Sequence, residues 1–329
     1  MMALLAALML ASGCGGSEPA GDPLEQVPAA GGLREKVAAA ERPEASEFPP
    51  ARGRSLQEVA DQDGTGGPEV GLATSVFTVG ENRLAFGVID QQGQFVYGKS
   101  AVYVAPRPGA PARGPYPAPA DLLVTEPPYR SQQAATESDP FAAVYAAQIP
   151  FAKPGKWSVL VLTQQDGRLL AAPSQVQVSR PADDTIPAVG ERAPKVATDT
   201  LASAKGDVTK VDTREPPSDM HGESFAAVVG KRPVALLFAT PQLCQSRVCG
   251  PVTDIELQMK SRYGSRMTFI HQEVYAGNDP AKGLRAPLER FNLRTEPWLF
   301  VVDRGGKITA RLEGSFGLTA FERAINTAL

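Results

Sequence analysis

A two-domain chain, an antiparallel β-sandwich followed by an α/β domain on a central sheet, is the fold this sequence predicts. Three observations predict it. Between about residues 72 and 178, short apolar runs alternate with turn signals at the rhythm of a sandwich. Beyond residue 186, apolar runs suited to buried strands alternate with stretches of helical periodicity, the pattern that places helices on both faces of a sheet. Between them, at 180–184, the pattern breaks.

The totals allow two domains. The chain has 329 residues, of which 43% are hydrophobic, enough for a core in each half. The formal charge is -3, with 33 basic and 36 acidic residues interspersed. No basic block offers a footprint for nucleic acid or an anionic membrane surface, which excludes both as electrostatic partners. The 31 Gly and 30 Pro crowd into the first third and into 105–120, where they imply long connections.

Each sandwich strand follows from its own run. The runs are 74–79, 83–89, 101–104, 142–149, 157–162 and 174–178, separated by turn signals such as Asp90-Gln91-Gln92-Gly93, Lys153-Pro154-Gly155-Lys156 and Gln165-Asp166-Gly167. This domain, taken as 71–180, holds no His and no Cys, so soft or imidazole metal ligation is not available to it. A spacer or protein-binding role is favoured there over catalysis. The stretch from Phe151 through Pro154-Gly155 to Trp157 resembles a hairpin of immunoglobulin-like extracellular modules, which implies an immunoglobulin-like sandwich.

The second domain, 186–329, is read in order. The run 233–239 suits a central strand, and a helix from about Gly250 places Val252, Ile255, Met259 and Tyr263 on one face. A strand at 267–274 and a helix at 281–291 follow. Strands 298–303 and 307–312 flank the turn Arg304-Gly305-Gly306. Thr319-Ala320-Phe321-Glu322 reads as a capping box opening a last helix that buries Phe321, Ala324, Ile325 and Leu329.

The chain has three cysteines. The first closes a short apolar N-terminal run, with Ala11-Ser12-Gly13 before Cys14. This resembles a bacterial lipoprotein signal, which implies a signal peptide at 1–13, cleavage before Cys14 and lipidation of its thiol. No Lys or Arg precedes the apolar run, and Ala11 stands where Leu is commoner. The run is far short of the roughly 20 residues that span a bilayer. The expectation is an extracytoplasmic protein anchored to the membrane by its N-terminal lipid. Residues 14–70, rich in Ala, Gly, Pro and Glu with helical candidates at 33–41 and 56–60, read as a flexible tether.

The other two, Cys244 and Cys249, lie between the first central strand and its helix in Leu237-Phe238-Ala239-Thr240-Pro241-Gln242-Leu243-Cys244-Gln245-Ser246-Arg247-Val248-Cys249-Gly250-Pro251. A second motif, Thr295-Glu296-Pro297-Trp298-Leu299-Phe300-Val301-Val302-Asp303, accompanies it. Together with Gly190 and Ala193-Pro194, they resemble thioredoxin-like domains, nearest in pattern to extracytoplasmic thiol-disulfide proteins of the TlpA/ResA kind. The resemblance implies a redox-active cysteine pair acting on a protein thiol or disulfide, without a cofactor. It also implies a cis Pro297 across from the pair, and Glu296 as a backbone contact to substrate. Arg247, and with less reason Arg232, would add to the stabilisation of a thiolate that a helix N-terminus provides.

The spacing departs from that family, which has two intervening residues where this chain has four. Residues five apart on a regular helix are separated by roughly 7.5 Å of rise, and a disulfide needs Cα atoms within about 7 Å. An undistorted helix holding both cannot bridge. Either Cys244 lies in the preceding loop with Cys249 at the helix start, which Gly250-Pro251 favours, or the helix unwinds on oxidation. In the first arrangement Cys244 is the exposed nucleophile and Cys249 has the stronger helix-end stabilisation.

Three other readings are open. Peroxiredoxins also place two cysteines five apart, but an activating Arg leads the strand where this chain has Pro297. Copper chaperones of the Sco type would use Cys244, Cys249 and a histidine, His271 foremost, although a strand histidine is more often packed than ligating. Last, the pair could be a structural bridge in a noncatalytic binding protein, since Leu243 stands where a Trp is expected. Against this, a short loop yields little entropic stabilisation.

Overall fold

The computed structural model describes residues 21–329 apart from 245 and 246, so the signal and Cys14 lie outside the described residues. From residue 21 onward, the segment expected to be a flexible tether is folded. Helix α1 (Leu33–Ala40) buries Leu33, Val37 and Ala40 at the four- and three-residue steps of one face, and Val27 joins the same core. Helix α2 (Leu56–Asp63) opens on a capping box between Ser55 and Glu58 and buries Leu56 and Val59. Small residues disguise these faces: two or three apolar side chains per helix suffice when they meet a ready-made sheet.

The sandwich comprises β1 (Thr65–Gly66), β2 (Glu69–Leu72), β3 (Phe77–Thr78), β4 (Gly80–Ile89), β5 (Ser100–Ala105), β6 (Arg113–Pro117), β7 (Ala120–Leu122), β8 (Ala143–Phe151), β9 (Gly155–Gln165) and β10 (Arg168–Ser179). One sheet runs β1-β10-β9-β5-β6, with β3 also paired to β10, and the other runs β2-β4-β8-β7. Phe86, Tyr145, Phe151 and Trp157 fill the space between them, and Phe151 and Trp157 meet edge to face at 5.3 Å. The outer face of the β5–β9 sheet is covered by Phe48, Leu56 and Val59, which close over Tyr103 and Leu160.

The second domain contains α3 (Phe225–Val228), β11 (Val234–Phe238), α4 (Cys249–Tyr263), β12 (Thr268–Gln272), α5 (Ala286–Arg290), β13 (Trp298–Val302), β14 (Ile308–Glu313) and α6 (Leu318–Ile325). Its sheet has the order β12-β11-β13-β14, with β11 parallel to β12 and antiparallel to β13. This is the order of elements expected of a thioredoxin-like unit. The expected helix 281–291 is shorter, because Gly283 takes a φ of 79° and Pro287 is accepted only in a first helical turn.

One face of this sheet carries an aromatic core of Phe238, Phe291, Phe300 and Trp298. On the other, Val252, Ile255 and Met259 of α4 and Phe321 and Ile325 of α6 share a single core with the sandwich. The two domains are therefore packed through their interiors. Asp121 on β7 accepts from the backbone N–H groups of Gly317, Thr319 and Ala320, so the sandwich caps α6. The expected capping box of Thr319 does not form: Gly317 is the N-cap and makes no side-chain cap bond.

Candidate redox site between sandwich and central sheet

Strand β11 ends at Phe238, the chain turns through Thr240, and Cys244 lies in that loop while Cys249 is the first residue of α4. This is the arrangement favoured by the spacing argument. The Cys244 N–H donates to the carbonyl of Thr240 at 3.1 Å, which keeps the loop tight. Arg247 takes a φ of 62°, turning the chain into the helix. Cys249 is fully buried and Cys244 is 9% exposed.

The two sulfurs interact. Burial pushes the Cys249 thiol well above its ordinary range, the hydrogen bond to Cys244 and the charge of that sulfur push it further, and the Thr240 backbone pulls the other way. The helix-end stabilisation expected for Cys249 is thus outweighed. A helix terminus is worth about 0.3–1 kcal/mol, under one pKa unit, whereas full burial shifts a group by up to about 3–5 units. Cys249 is accordingly the protonated partner, and Cys244 the more accessible.

Pro297 sits at the head of β13, and its peptide bond with Glu296 is cis. Glu296 is half-buried; burial first, then the charge of Cys244, raise its carboxyl, while a hydrogen bond from Tyr275 at 3.5 Å opposes them. Tyr275 is raised by its own burial and by the charges of Glu296 and Cys244. Sequence reasoning missed Tyr275, whose only local signal is its place just beyond β12.

Arg247 has a carboxylate partner in the sandwich. Its guanidinium pairs with Asp139, in the connection between β7 and β8. Arg232 is on the surface, 3.6 Å from Glu223. The copper set of Cys244, Cys249 and His271 is not assembled either. His271 on β12 points its Nε2 at the Ala239 carbonyl (3.0 Å) and its Nδ1 toward Asp212 (3.6 Å). Among the described residues, the cluster able to surround an ion contains His271 but neither cysteine.

The sandwich overhangs the site. The connection between β7 and β8 lays Gln133 against Gly250, so close that a Cβ there would stand 2.5 Å from that of Gln133. Beside it opens a cleft of about 580 Å³ between the domains, with Phe77, Phe95, Phe141 and Ile89 on the sandwich side and Val248 and Glu296 on the side of the cysteines.

No protein-family model matches the chain. No curated protein matches it. Solved structures with partial likeness include a chain described as thiol:disulfide interchange protein DsbE from Chlorobium tepidum (17% identity, 43% of this chain and 98% of that one, TM-score 0.31). A thioredoxin-family thiol:disulfide interchange protein from Chlorobium tepidum TLS gives 18% identity over 43% of this chain and 97% of its own, with a TM-score of 0.29. A thioredoxin-like protein in its oxidised form gives 16%, 31%, 80% and 0.27 respectively. The fold and chemistry described for this chain rest on its own topology and residues.

Proposed function

We propose that this protein is an extracytoplasmic thiol-disulfide oxidoreductase, tethered through a lipid on Cys14, that exchanges disulfides with a protein substrate through Cys244 and Cys249. The observation that carries the reading is the asymmetric pair: a more accessible Cys244 in the loop hydrogen-bonded to a buried, protonated Cys249 at the start of α4. In the reductive direction the Cys244 thiolate attacks a substrate disulfide, forming a mixed disulfide and releasing one substrate thiolate. The Cys249 thiol then loses its proton, and its sulfur attacks that of Cys244. An intramolecular disulfide forms, the second substrate thiolate leaves, and two electrons have passed to the substrate. Oxidation of a dithiol is the reverse.

Glu296 supports this reading as the nearby carboxyl whose raised affinity for protons suits it to accept the one leaving Cys249. Its backbone, next to the cis Pro297, is the proposed contact for an extended substrate segment in the cleft. The immunoglobulin-like sandwich would then govern access.

Trapping decides the matter. With Cys249→Ser, a disulfide-bearing substrate such as insulin should accumulate as a mixed disulfide on Cys244, whereas Cys244→Ser should trap none and reduce none. The burial of both sulfurs favours a structural bridge as the second reading. A disulfide that withstands dithiothreitol until the protein unfolds would establish that reading and overturn ours.

A further inference from the structure

Among the described residues, a buried polar cluster lies outside the cysteine pair. Asp212, His221 and His271 bring one ligand atom each to within 4.8 Å of the others, and all three side chains are 3% exposed or less. Nε2 of His221 is 3.0 Å from Asp212 Oδ2, Nδ1 of His271 is 3.6 Å from Oδ1, and the two imidazoles are 5.1 Å apart between ring centres. The three come from separate places. Asp212 and His221 bracket the Pro-rich stretch before α3, and His271 is on the edge strand β12.

We infer that Asp212, His221 and His271 form a binding site for a divalent transition-metal ion, with zinc the best-suited occupant of this two-imidazole, one-carboxylate set. The first support is the orientation of His271. Its Nε2–H donates to the Ala239 carbonyl, which leaves the lone pair of Nδ1 facing the Asp212 carboxylate with no hydrogen-bond partner. A ring nitrogen fixed by a backbone carbonyl on one side and turned to an anion on the other is the usual preparation of a ligating histidine. The second is the separation. At 3.6 Å the pair is too far apart for a good hydrogen bond. Two ligands about 2.1 Å from a shared ion, at a tetrahedral angle, stand about 3.4 Å apart.

The third is the carboxylate's own scaffolding. Oδ2 of Asp212 is held by the N–H and hydroxyl of Ser218 at 2.7 and 2.8 Å, and Oδ1 by the Arg214 N–H at 2.8 Å. Oδ1 therefore keeps a lone pair on the side of His271. The fourth is charge. Two further buried carboxyls, Glu256 on α4 and Glu273 just after β12, act electrostatically on His271; both oxygens of Glu256 and one of Glu273 lack hydrogen-bond partners. A protonated His271 places one positive charge among these groups; a dication places two.

Such an ion would pin the stretch 212–221 to β12. Thr213 extends the link: its hydroxyl donates to Glu273 at 2.7 Å and accepts from the Gln242 N–H at 3.3 Å, in the loop that carries Cys244. Metal loading would thus steady the redox loop without touching either sulfur.

The test uses the full chain, stripped with chelator and titrated with zinc alone. One zinc per chain is expected by calorimetry, with an X-ray absorption spectrum showing only nitrogen and oxygen neighbours at about 2.0–2.1 Å. The Cys244→Ser/Cys249→Ser double variant should bind the same equivalent, and His271→Gln should bind roughly 100-fold or more weakly. Any of three results would overturn the site: no stoichiometric zinc on the folded wild-type chain, sulfur neighbours at about 2.3 Å, or unchanged affinity in folded His271→Gln. Should that variant fail to fold, the wild-type spectrum and the double variant decide between the same outcomes.

Discussion

Arg214 and Asp254 form an ion pair at 2.8 Å with each side chain only 1% exposed, and through Ser131 and Tyr129 the pair ties the sandwich to α4. The second carboxylate oxygen of Asp254 accepts from the N–H and hydroxyl of Ser131 at 2.8 and 2.9 Å, while Arg214 donates to the Tyr129 carbonyl at 2.7 Å. Ser131 and Tyr129 belong to the connection that overhangs the cysteines, and Asp254 lies one and a half turns into α4. Burial outweighs the attraction of Arg214 and lifts the Asp254 carboxyl to about 6. The pair is therefore a costly one that fixes register between the domains.

Breaking it from one side should be expensive. Asp254→Asn keeps the shape but leaves the Arg214 charge buried without its counterion, a loss of about 3–5 kcal/mol by analogy with other buried pairs. Urea denaturation should show this as a lower midpoint with an unchanged slope. Proteolysis should cut the 123–142 connection earlier than in wild type. A loss under about 1 kcal/mol would mean that the pair behaves as an exposed one.

Gly250 makes a sharper test of the interface. A methyl group there meets Gln133 at its Cβ, which cannot swing away as a side-chain tip can. Gly250→Ala should destabilise by about 1–3 kcal/mol, the usual cost of overpacking, despite the better helix propensity of alanine. Gln133→Gly removes the opposing Cβ, so the double variant should recover much of that loss. Simple additivity in a double-mutant cycle would refute the contact.

These contacts mark where the sequence stops being readable. The long central strands of both domains, the start of α4 near Gly250 and the loop position of Cys244 follow from local pattern and helix geometry, whereas the short strands β1, β2, β6 and β7, poor in apolar runs, do not. The overhang is different. Residues 123–142 have no periodicity, and nothing local says that Ser131, Gln133 and Asp139 reach α4. Burial likewise reversed the expectation for Cys249, because a helix start can be read from Gly250-Pro251 but the covering sandwich cannot. The packing of 21–70 is hidden in the sequence for the same reason: its small residues fold only against a surface supplied by residues far along the chain.

The cap of α6 is the clearest long-range case. Thr319 and Glu322 look like a self-sufficient box, yet Asp121, 196 residues before Gly317, satisfies the helix N-terminus. Asp121→Ala leaves three donors without that carboxylate and removes a negative charge from the positive end of the helix. The expected loss is about 1–2 kcal/mol, measured by thermal or urea unfolding. Thr319→Ala should change stability by less than about 0.5 kcal/mol; the opposite ranking would restore the local box.

Glu296 carries a pH signature whose sign is fixed by its environment. Its carboxyl is raised in the folded protein, chiefly by burial and then by the charge of Cys244. The folded state therefore holds this proton more tightly than the unfolded state does. The resulting stability is fully present below the unfolded value of about 4.3 and is lost as pH rises through the folded value. Glu296→Gln has no proton to lose, so the wild type should fall in stability relative to the variant across that window and stay parallel above it. Urea midpoints at half-unit steps from pH 4 to 8 check this. If Glu296 also accepts the Cys249 proton, the variant should slow disulfide closure while leaving the first attack by Cys244 near its wild-type rate. A variant that tracks the wild type in both measurements would leave Glu296 without an electrostatic role at the pair.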